Sequence, residues 1–345
     1  MTVETMMNNK KTKLIFYAVV AVALLALPQI TGNGYLLRII NMILIYCIIS
    51  VSINLIGGYG GELAMGHACY VGVGAYTTAI LATKFSLPFW ATLPVSLIAA
   101  TVFGFLTAIL CVGRIKGDYV MIVTMGVSEI TRIFFVNAAN ITNGPMGIPQ
   151  VPGISLLGFQ FHTGKSYYYL FLICLVVTIL VIRNIVNSKF GRDVVAIRED
   201  KVAAKAMGIK VNLNKIINFT ITAFFAGLAG VLLAHYNQFV GPMQFSLDEG
   251  LLYFQMIIIG GLGSIPGSIL GAGILVLIPE VFRGIAVYRT IVYGLIMVVM
   301  MIVRPQGLLG DDDSNHVLIR WSGQLRNGLK RLFMRKGAED ESAGC

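Results

Sequence analysis

Few residues in this chain have chemistry to offer. Its 345 residues hold 26 Lys and Arg, 16 Asp and Glu and 4 His. Glu129 and Arg132 stand three apart inside an apolar run, a spacing that lets both side chains meet on one helix face. A lone charge at a bilayer centre costs roughly 2.5–3.5 kcal/mol on insertion scales. Thr124, Ser128 and Thr131 extend the polar side. The face would border a translocation path or a second membrane subunit; the alternative is an internal pair that fixes packing. His67 lies near Glu62 at the start of another apolar run, where an imidazole could carry protons near neutral pH. A hydrogen-bonded structural histidine is the alternative, and the same reading applies to His235 and Glu280. Asn54, with Ser50, can bond a neighbouring helix. Together Thr124, Ser128, Glu129, Arg132, Asn54 and His67 form the candidate path set.

Catalysis finds no support. An enzyme would need acid, base or metal groups at one depth, and His67 and His235 fall near opposite ends of their runs. Of Cys47, Cys69, Cys111, Cys174 and Cys345, all but the last lie in apolar runs and none form a CxxC. They read as small buried hydrophobes. No Gly-x-x-x-x-Gly-Lys-Ser/Thr phosphate loop is present.

One charged segment stands apart. It runs from Gly191 through Asp193, Arg198, Glu199, Asp200, Ala203 and Ala204 to Gly208. From Asp193 to Met207 there is no proline or glycine, and helix formers dominate. This predicts one helix over 193–207, with Gly191 before it and Gly208 as C-cap. Val194, Ile197, Ala204 and Met207 share roughly one side. Such a helix suits docking in a partner's groove, or it lies on the lipid surface as a connector.

The elements that must position these groups are membrane helices. The chain is 57% hydrophobic and 12% charged, with 38 glycines and a mean hydropathy of +0.80. Soluble domains carry about 25% charged residues. A span needs roughly 20 apolar residues, which gives candidates at 14–31, 36–56, 62–83, 88–112, 118–137, 166–183 and 215–240. The long stretch 250–303 breaks at Gly260-Gly261-Leu262-Gly263, giving short elements at 250–263 and 267–282 and a last span at 286–303. The run after Lys10, Lys11 and Lys13 is too long for a signal peptide and reads as a first span.

The net charge of +10 lies in short segments between apolar runs, a topology signal and not a nucleic-acid footprint. With the N-terminus in the cytoplasm, only Arg38, Lys84, Lys165, Arg283 and Arg289 fall outside. The bias predicts an all-α polytopic bundle of about ten crossings, two of them possible re-entrant elements, with both termini inside. A permease domain would cover 1–310, including an inside segment at 184–214. A tail at 311–345 opens on Asp311-Asp312-Asp313 and has a basic middle suited to anionic lipid. The outside segment 138–165 is nearly uncharged; its Gly144-Pro145 would shape a docking surface or an ordinary turn. Gly57-Gly58-Tyr59-Gly60-Gly61 weakly echoes Gly260-Gly261-Leu262-Gly263, too briefly to be a repeat. Small residues four apart, at Ala226, Gly230 and Ala234 and at Ala64, Ala68 and Gly72, permit close helix approach.

Several stretches in this order resemble one family. Ala196-Ile197-Arg198-Glu199-Asp200 followed by Ala203-Ala204-x-x-x-Gly208 looks like the coupling segment of ABC-importer permeases, Glu-Ala-Ala-x-x-x-Gly, with Val202 in place of the Glu. Gly66-His67-Ala68, Gly72-x-Gly74-Ala75-Tyr76, Thr142-Asn143-Gly144-Pro145-x-Gly147-Ile148, Phe224-Phe225-Ala226-Gly227-Leu228-Ala229-Gly230 and Arg304-Pro305-Gln306-Gly307-Leu308 narrow it to LivM-type branched-chain amino acid permeases. The resemblance implies a subunit of the bacterial cytoplasmic (inner) membrane, surrounded by membrane lipid. It would pair with a related permease, two cytoplasmic ATP-binding subunits and a periplasmic or lipid-anchored binding protein. Asp193, Arg198, Glu199, Asp200, Ala203, Ala204 and Gly208 would face the ATPases. The chain itself would bind no cofactor, ATP being held by the partners. Leu, Ile and Val are the implied substrates; relatives carrying urea, amides or other amino acids share these motifs. A stand-alone secondary transporter is the competing class.

Overall fold

The computed structural model describes residues 27–29, 33–113, 115, 119–156, 159–160, 164–281, 289–304 and 306–309. All but the end of the predicted first span 14–31, together with Arg114, Lys116, Arg283 and the tail 311–345, lies outside the described residues. The described chain is a helical bundle. Its first helix, α1 (Gly34–Asn54), passes into a π-helical turn, Leu55–Tyr59. Then follow α2 (His67–Lys84), α3 (Phe89–Cys111), α4 (Tyr119–Asn137) and the short α5 (Ala139–Thr142). The next are α6 (Gly164–Asn187), α7 (Lys189–Glu199), α8 (Lys201–Ala206) and α9 (Val211–Asn237). The last are α10 (Leu247–Gly260), α11 (Ile265–Val281) and α12 (Arg289–Val303). The connections after α5 and after α9 also hold short strands, which an all-α reading did not foresee. Strand β1 (Ile148–Pro149) pairs with β4 (Phe239–Val240), and β2 (Ser155–Leu156) with β3 (Phe159–Gln160).

Among the described residues, 5 helices are long and apolar enough to cross a membrane. They are α1 with its π turn, α3, α4, α6 and α9. The outward faces of several helices are apolar. Trp90, Ile98, Phe105 and Leu106 of α3, Ile173, Val177 and Leu180 of α6, and Leu295 and Ile302 of α12 are all exposed. Exposed apolar side chains on this many helix faces fit lipid rather than water.

The predicted third span, 62–83, starts late. Gly61 adopts φ +63 and turns the chain, so Glu62–Met65 stay non-helical and α2 begins at His67. Ala64 therefore drops out of the small-residue stripe. The break at the glycines of 260–263 is where the sequence places it. Beyond it the chain reverses: a Cβ on Gly260 would lie 2.1 Å from the Gly267 carbonyl oxygen, and one on Gly271 2.0 Å from that of Met256. These contacts define α10 and α11 as an antiparallel hairpin packed backbone to backbone.

Close approach also organises α2, α3 and α9. Ser96, Ala100, Gly104 and Ala108 line the buried side of α3 at one-turn spacing. A Cβ on Gly104 would come within 2.1 Å of the Ala223 Cβ, one on Gly227 within 2.4 Å of the Ala100 Cβ, and one on Gly230 within 2.1 Å of the Val71 carbonyl oxygen. In lipid, where apolar burial between helices gives little drive, such packing holds them together. Replacing Gly230 by Leu should therefore destabilise the detergent-solubilised protein by at least the roughly 1–3 kcal/mol of an overpacked core. Gly126→Ala, where a Cβ meets nothing within 4 Å, should leave the thermal midpoint unchanged or raise it. Equal midpoints for the two variants would contradict this packing.

Candidate functional site: a coupling segment clamped to two glycine turns

The site is built where α1 ends. In its π turn the Gly60 amide reaches back five residues to the Leu55 carbonyl at 3.2 Å, so the ordinary ladder is broken. Side chains from other elements bond to the carbonyls of this turn. Asn218 Nδ2 of α9 donates to Leu55 O at 3.2 Å, and Arg198 Nη1 of α7 donates to Gly58 O at 2.8 Å. Asn54 accepts from the Gly263 amide at 2.9 Å and donates to the Ser264 carbonyl at 3.0 Å. Ser50 Oγ donates to Ser268 O at 3.0 Å. Asn54 and Ser50 are thus helix-bonding residues, as their types suggest, and their partner is the α10–α11 hairpin.

The two glycine-rich stretches, only a weak echo in sequence, touch in space. A Cβ on Gly58 would fall 2.3 Å from the Gly263 nitrogen. A Cβ on Gly61 would fall 2.6 Å from Arg198 Cγ, so glycine there lets the arginine stem lie against the backbone. The tip of the hairpin is also stitched from below. Leu308 and Leu309 donate their amides to Ile259 O and Gly260 O, each at 2.9 Å, with Gly307 at φ +79 against Gly261.

The predicted single helix 193–207 is two helices. Asp200 has extended backbone, φ −151 and ψ 111, and its Oδ1 accepts from Val202 N at 2.7 Å and Ala203 N at 3.0 Å. It is an N-cap, so α7 stops and α8 starts. Bonds from the Ala203 and then the Val202 amide hold the Asp200 carboxyl below the usual carboxylate range. Helix-former counts miss this because a short acidic side chain competes for local backbone donors. α7 also begins earlier than predicted, capped by Ser188, so Gly191 lies inside it, with no room for a Cβ beside the Val186 carbonyl. Gly208, at φ +83, closes α8 as expected. Val194, Ile197 and Ala204 are buried, but Met207 is 83% exposed and leaves their face. It follows the last residue of α8, beyond a break that ends the single-helix register.

Two groups of the segment point inward. Asp193 Oδ2 accepts from Asn214 Nδ2 at 3.5 Å, and Arg198 holds Gly58. Glu199, Asp200, Val202 and Ala203 are exposed. Nearby, Lys215 of α9 forms a buried ion pair with Glu62. Sequence reading set Glu62 beside His67; the residue that completes it lies 153 positions away. His67 is buried, with Nδ1 3.4 Å from Ala64 O and its ring edge-on to Tyr70. Its Nε2 has no hydrogen-bond partner among the described residues. His235 is bonded through Nδ1 to Pro152 O at 2.7 Å. No metal-binding group of His, Cys, Asp and Glu occurs among the described residues.

The polar side of α4 splits in two. Glu129 and Arg132 do pair, with Arg132 Nε 3.0 Å from each carboxylate oxygen, and both are partly exposed. Thr124, Ser128 and Thr131 lie on the adjacent buried face. Thr131 donates to Val127 O at 2.7 Å; Thr124 donates to Met121 O at 3.0 Å and accepts from Met65 N at 3.2 Å. One helix step turns a side chain by about 100°, so Ser128 and Glu129 cannot share a direction. The hydroxyls lie on the buried side, and the ion pair stands beside them.

Removing Lys215 leaves a buried carboxylate alone. Lys215→Met should cost about 3–5 kcal/mol of stability in denaturant titration. Adding Glu62→Gln should recover most of it, and failure to recover would show that the pair does not hold this corner. Asp200 titrates from a lowered value, so its cap is intact above the ordinary carboxylate pKa and fails as pH falls through the folded-state value. Amide exchange at Val202 and Ala203 should accelerate on acidification, and Asp200→Asn should keep the cap and lose that pH dependence.

A family model described as "Branched-chain amino acid transport system / permease component" matches residues 35–303. The chain is 35% identical over 325 residues to the high-affinity branched-chain amino acid transport system permease protein LivM of Salmonella typhimurium LT2, covering 88% of this chain and 76% of that one. The same figures hold for LivM of Escherichia coli K12. The permease protein LivH of E. coli K12 is 31% identical over 126 residues, covering 36% of this chain and 40% of that one. With nearly the whole bundle matched, the chain belongs to the permease components of branched-chain amino acid transport systems.

Proposed function

We propose that this chain is the LivM-type permease subunit of an ABC importer for leucine, isoleucine and valine. It forms half of a translocation path and receives the ATP-driven motion of two cytoplasmic ATPases through α7 and α8. The observation that carries this reading is the two-sidedness of that segment. Its inner face is tied to α1 by the Arg198–Gly58 bond and packed on Val194, Ile197 and Ala204. Its outer side presents Val202 at 79% and Met207 at 83% exposure. Apolar side chains held out from a rigidly attached surface helix suit the groove of a partner.

The wider assembly follows from the same reading. Similarity to both LivM and LivH supports pairing with a related permease. The partly exposed Glu129–Arg132 pair would face that partner or the path between them. The turn around Gly144 and Gly147, with Met146 exposed, would receive the substrate-binding protein on the far side. Contacts along α1 support two crossings by the hairpin. Ser264 meets Asn54 at one end of α11, and Glu280 meets Tyr35 at the other. α11 thus matches nearly the full length of α1. Both termini then face the cytoplasm of a bacterial inner membrane.

Introducing Asp at both Val202 and Met207 should release the ATPase subunits during co-purification and abolish ATP-dependent leucine uptake. Loss of a central apolar anchor of about 2 kcal/mol or more would weaken docking some thirtyfold. Both positions are exposed, so the permease itself should stay folded by size exclusion. Unchanged co-purification and uptake would sink the coupling role. Uptake by this chain alone, driven by an ion gradient without ATP, would favour a secondary transporter. Titrating the cognate binding protein with leucine, urea and amides separates the substrate classes.

A further inference from the structure

A cavity of about 420 Å³ opens at the end of the bundle opposite α7. It lies between α1, α10, α11 and α12. The stretch of α1 from Gly58, where Arg198 grips it, to Arg38 at the cavity is about 30 Å at 1.5 Å per residue. The lining is of two kinds. Arg38, Glu249 and Glu280 supply opposite charges. Ile39, Leu252 and Leu275 supply an aliphatic wall and are buried.

Tyrosines fix the acidic groups. Tyr35 donates to Glu280, and Tyr46 donates to Glu249 Oε2 at 3.5 Å. Tyr293 donates to Leu275 O at 3.0 Å, which ties α12 to the wall. A carboxylate accepts up to about four hydrogen bonds, so a tyrosine tether is compatible with an ammonium beside it. Ionisable groups within a membrane protein line water-filled cavities and substrate paths. A guanidinium fork suits a carboxylate in particular.

We infer that this cavity binds the free amino-acid zwitterion, the Arg38 guanidinium facing the α-carboxylate, Glu249 or Glu280 facing the ammonium, and the aliphatic wall taking the side chain. The assignment rests on the importer reading for its choice of ligand. It adds a loading site on the permease itself, and it places that site on the same four elements whose other ends meet at the glycine turns. Motion delivered to Gly58 and Gly263 would reach the cavity along α1 and α11 as rigid rods.

The test uses the full transporter in lipid nanodiscs, with tritiated leucine and with neither ATP nor binding protein. Saturable binding is expected, displaced by isoleucine and valine. Isoamylamine, which lacks the carboxylate, and isocaproate, which lacks the ammonium, should fail to displace it. R38Q and the double variant E249Q/E280Q should each weaken binding about tenfold or more, the scale of a charge-assisted hydrogen bond. V276W, which fills the cavity without touching a charge, should abolish it; size exclusion with the partner subunits checks that each variant assembles. Absence of saturable binding overturns the assignment whatever uptake does. So does binding unchanged in all three variants, or equal displacement by the amine alone. Loss of binding-protein-dependent uptake with leucine binding intact would overturn the importer reading and leave the cavity assigned.

Discussion

A backbone carbonyl that leaves the helical ladder inside a bilayer has no water to receive it, and each such group unsatisfied costs several kcal/mol. The Gly58 carbonyl, near the end of the π turn of α1, is such a group, while Leu55 O accepts from both Gly60 N and Asn218 Nδ2. The surrounding structure is arranged around relieving it. Asn218 arrives from α9, Arg198 from α7, and the amide of Gly263 from the hairpin turn is held against the same turn by Asn54. Three segments distant in sequence are therefore joined at one point by ordinary hydrogen-bond accounting. α7, lying outside the spanning helices, is held on the bundle by the Arg198 guanidinium together with the Asp193–Asn214 contact and its buried Val194 and Ile197.

Glycine makes this junction possible. A side chain at Gly58 would collide with Asn54 and with the Gly263 amide, and one at Gly61 would push the Arg198 stem away. Elsewhere glycine and alanine serve a different end, bringing α2, α3 and α9 to backbone contact while larger side chains face outward. The same residue type thus builds a tight scaffold in one place and a polar junction in another.

Much of this was legible in the sequence. The apolar runs gave the long helices, because length and hydropathy are properties of the chain itself. The reversal near Gly261 followed from a stretch too long for one crossing. The Glu129–Arg132 pair followed from their spacing of three. What stayed hidden was tertiary or finely local. Glu62 and Lys215 are separated by most of the bundle, and no spacing rule joins them. The two glycine stretches looked alike, but nothing in their letters says that they touch. Asp200 reads as a mid-helix residue until its carboxylate is seen on the next two amides, and Met207 then leaves the apolar side it was assigned. The polar side of α4 was read as one face, although a single residue step separates its inward hydroxyls from its half-exposed charges.

The stitch between Leu308, Leu309 and the end of α10 has a bearing on how the chain is made. Those two amides cap carbonyls at Ile259 and Gly260, beside the turn that Asn54 binds. A ribosome completes the hairpin well before it reaches Leu309. Until the last helix has been inserted and its exit threaded back, the tip of the hairpin lacks two of its donors. The end of α10, beside the junction that holds α7, therefore gains these two bonds only after Leu309 has been made, although α7 itself is made much earlier. A chain cut short before Leu308 would leave the Ile259 and Gly260 carbonyls, beside the seat of α7, without these donors.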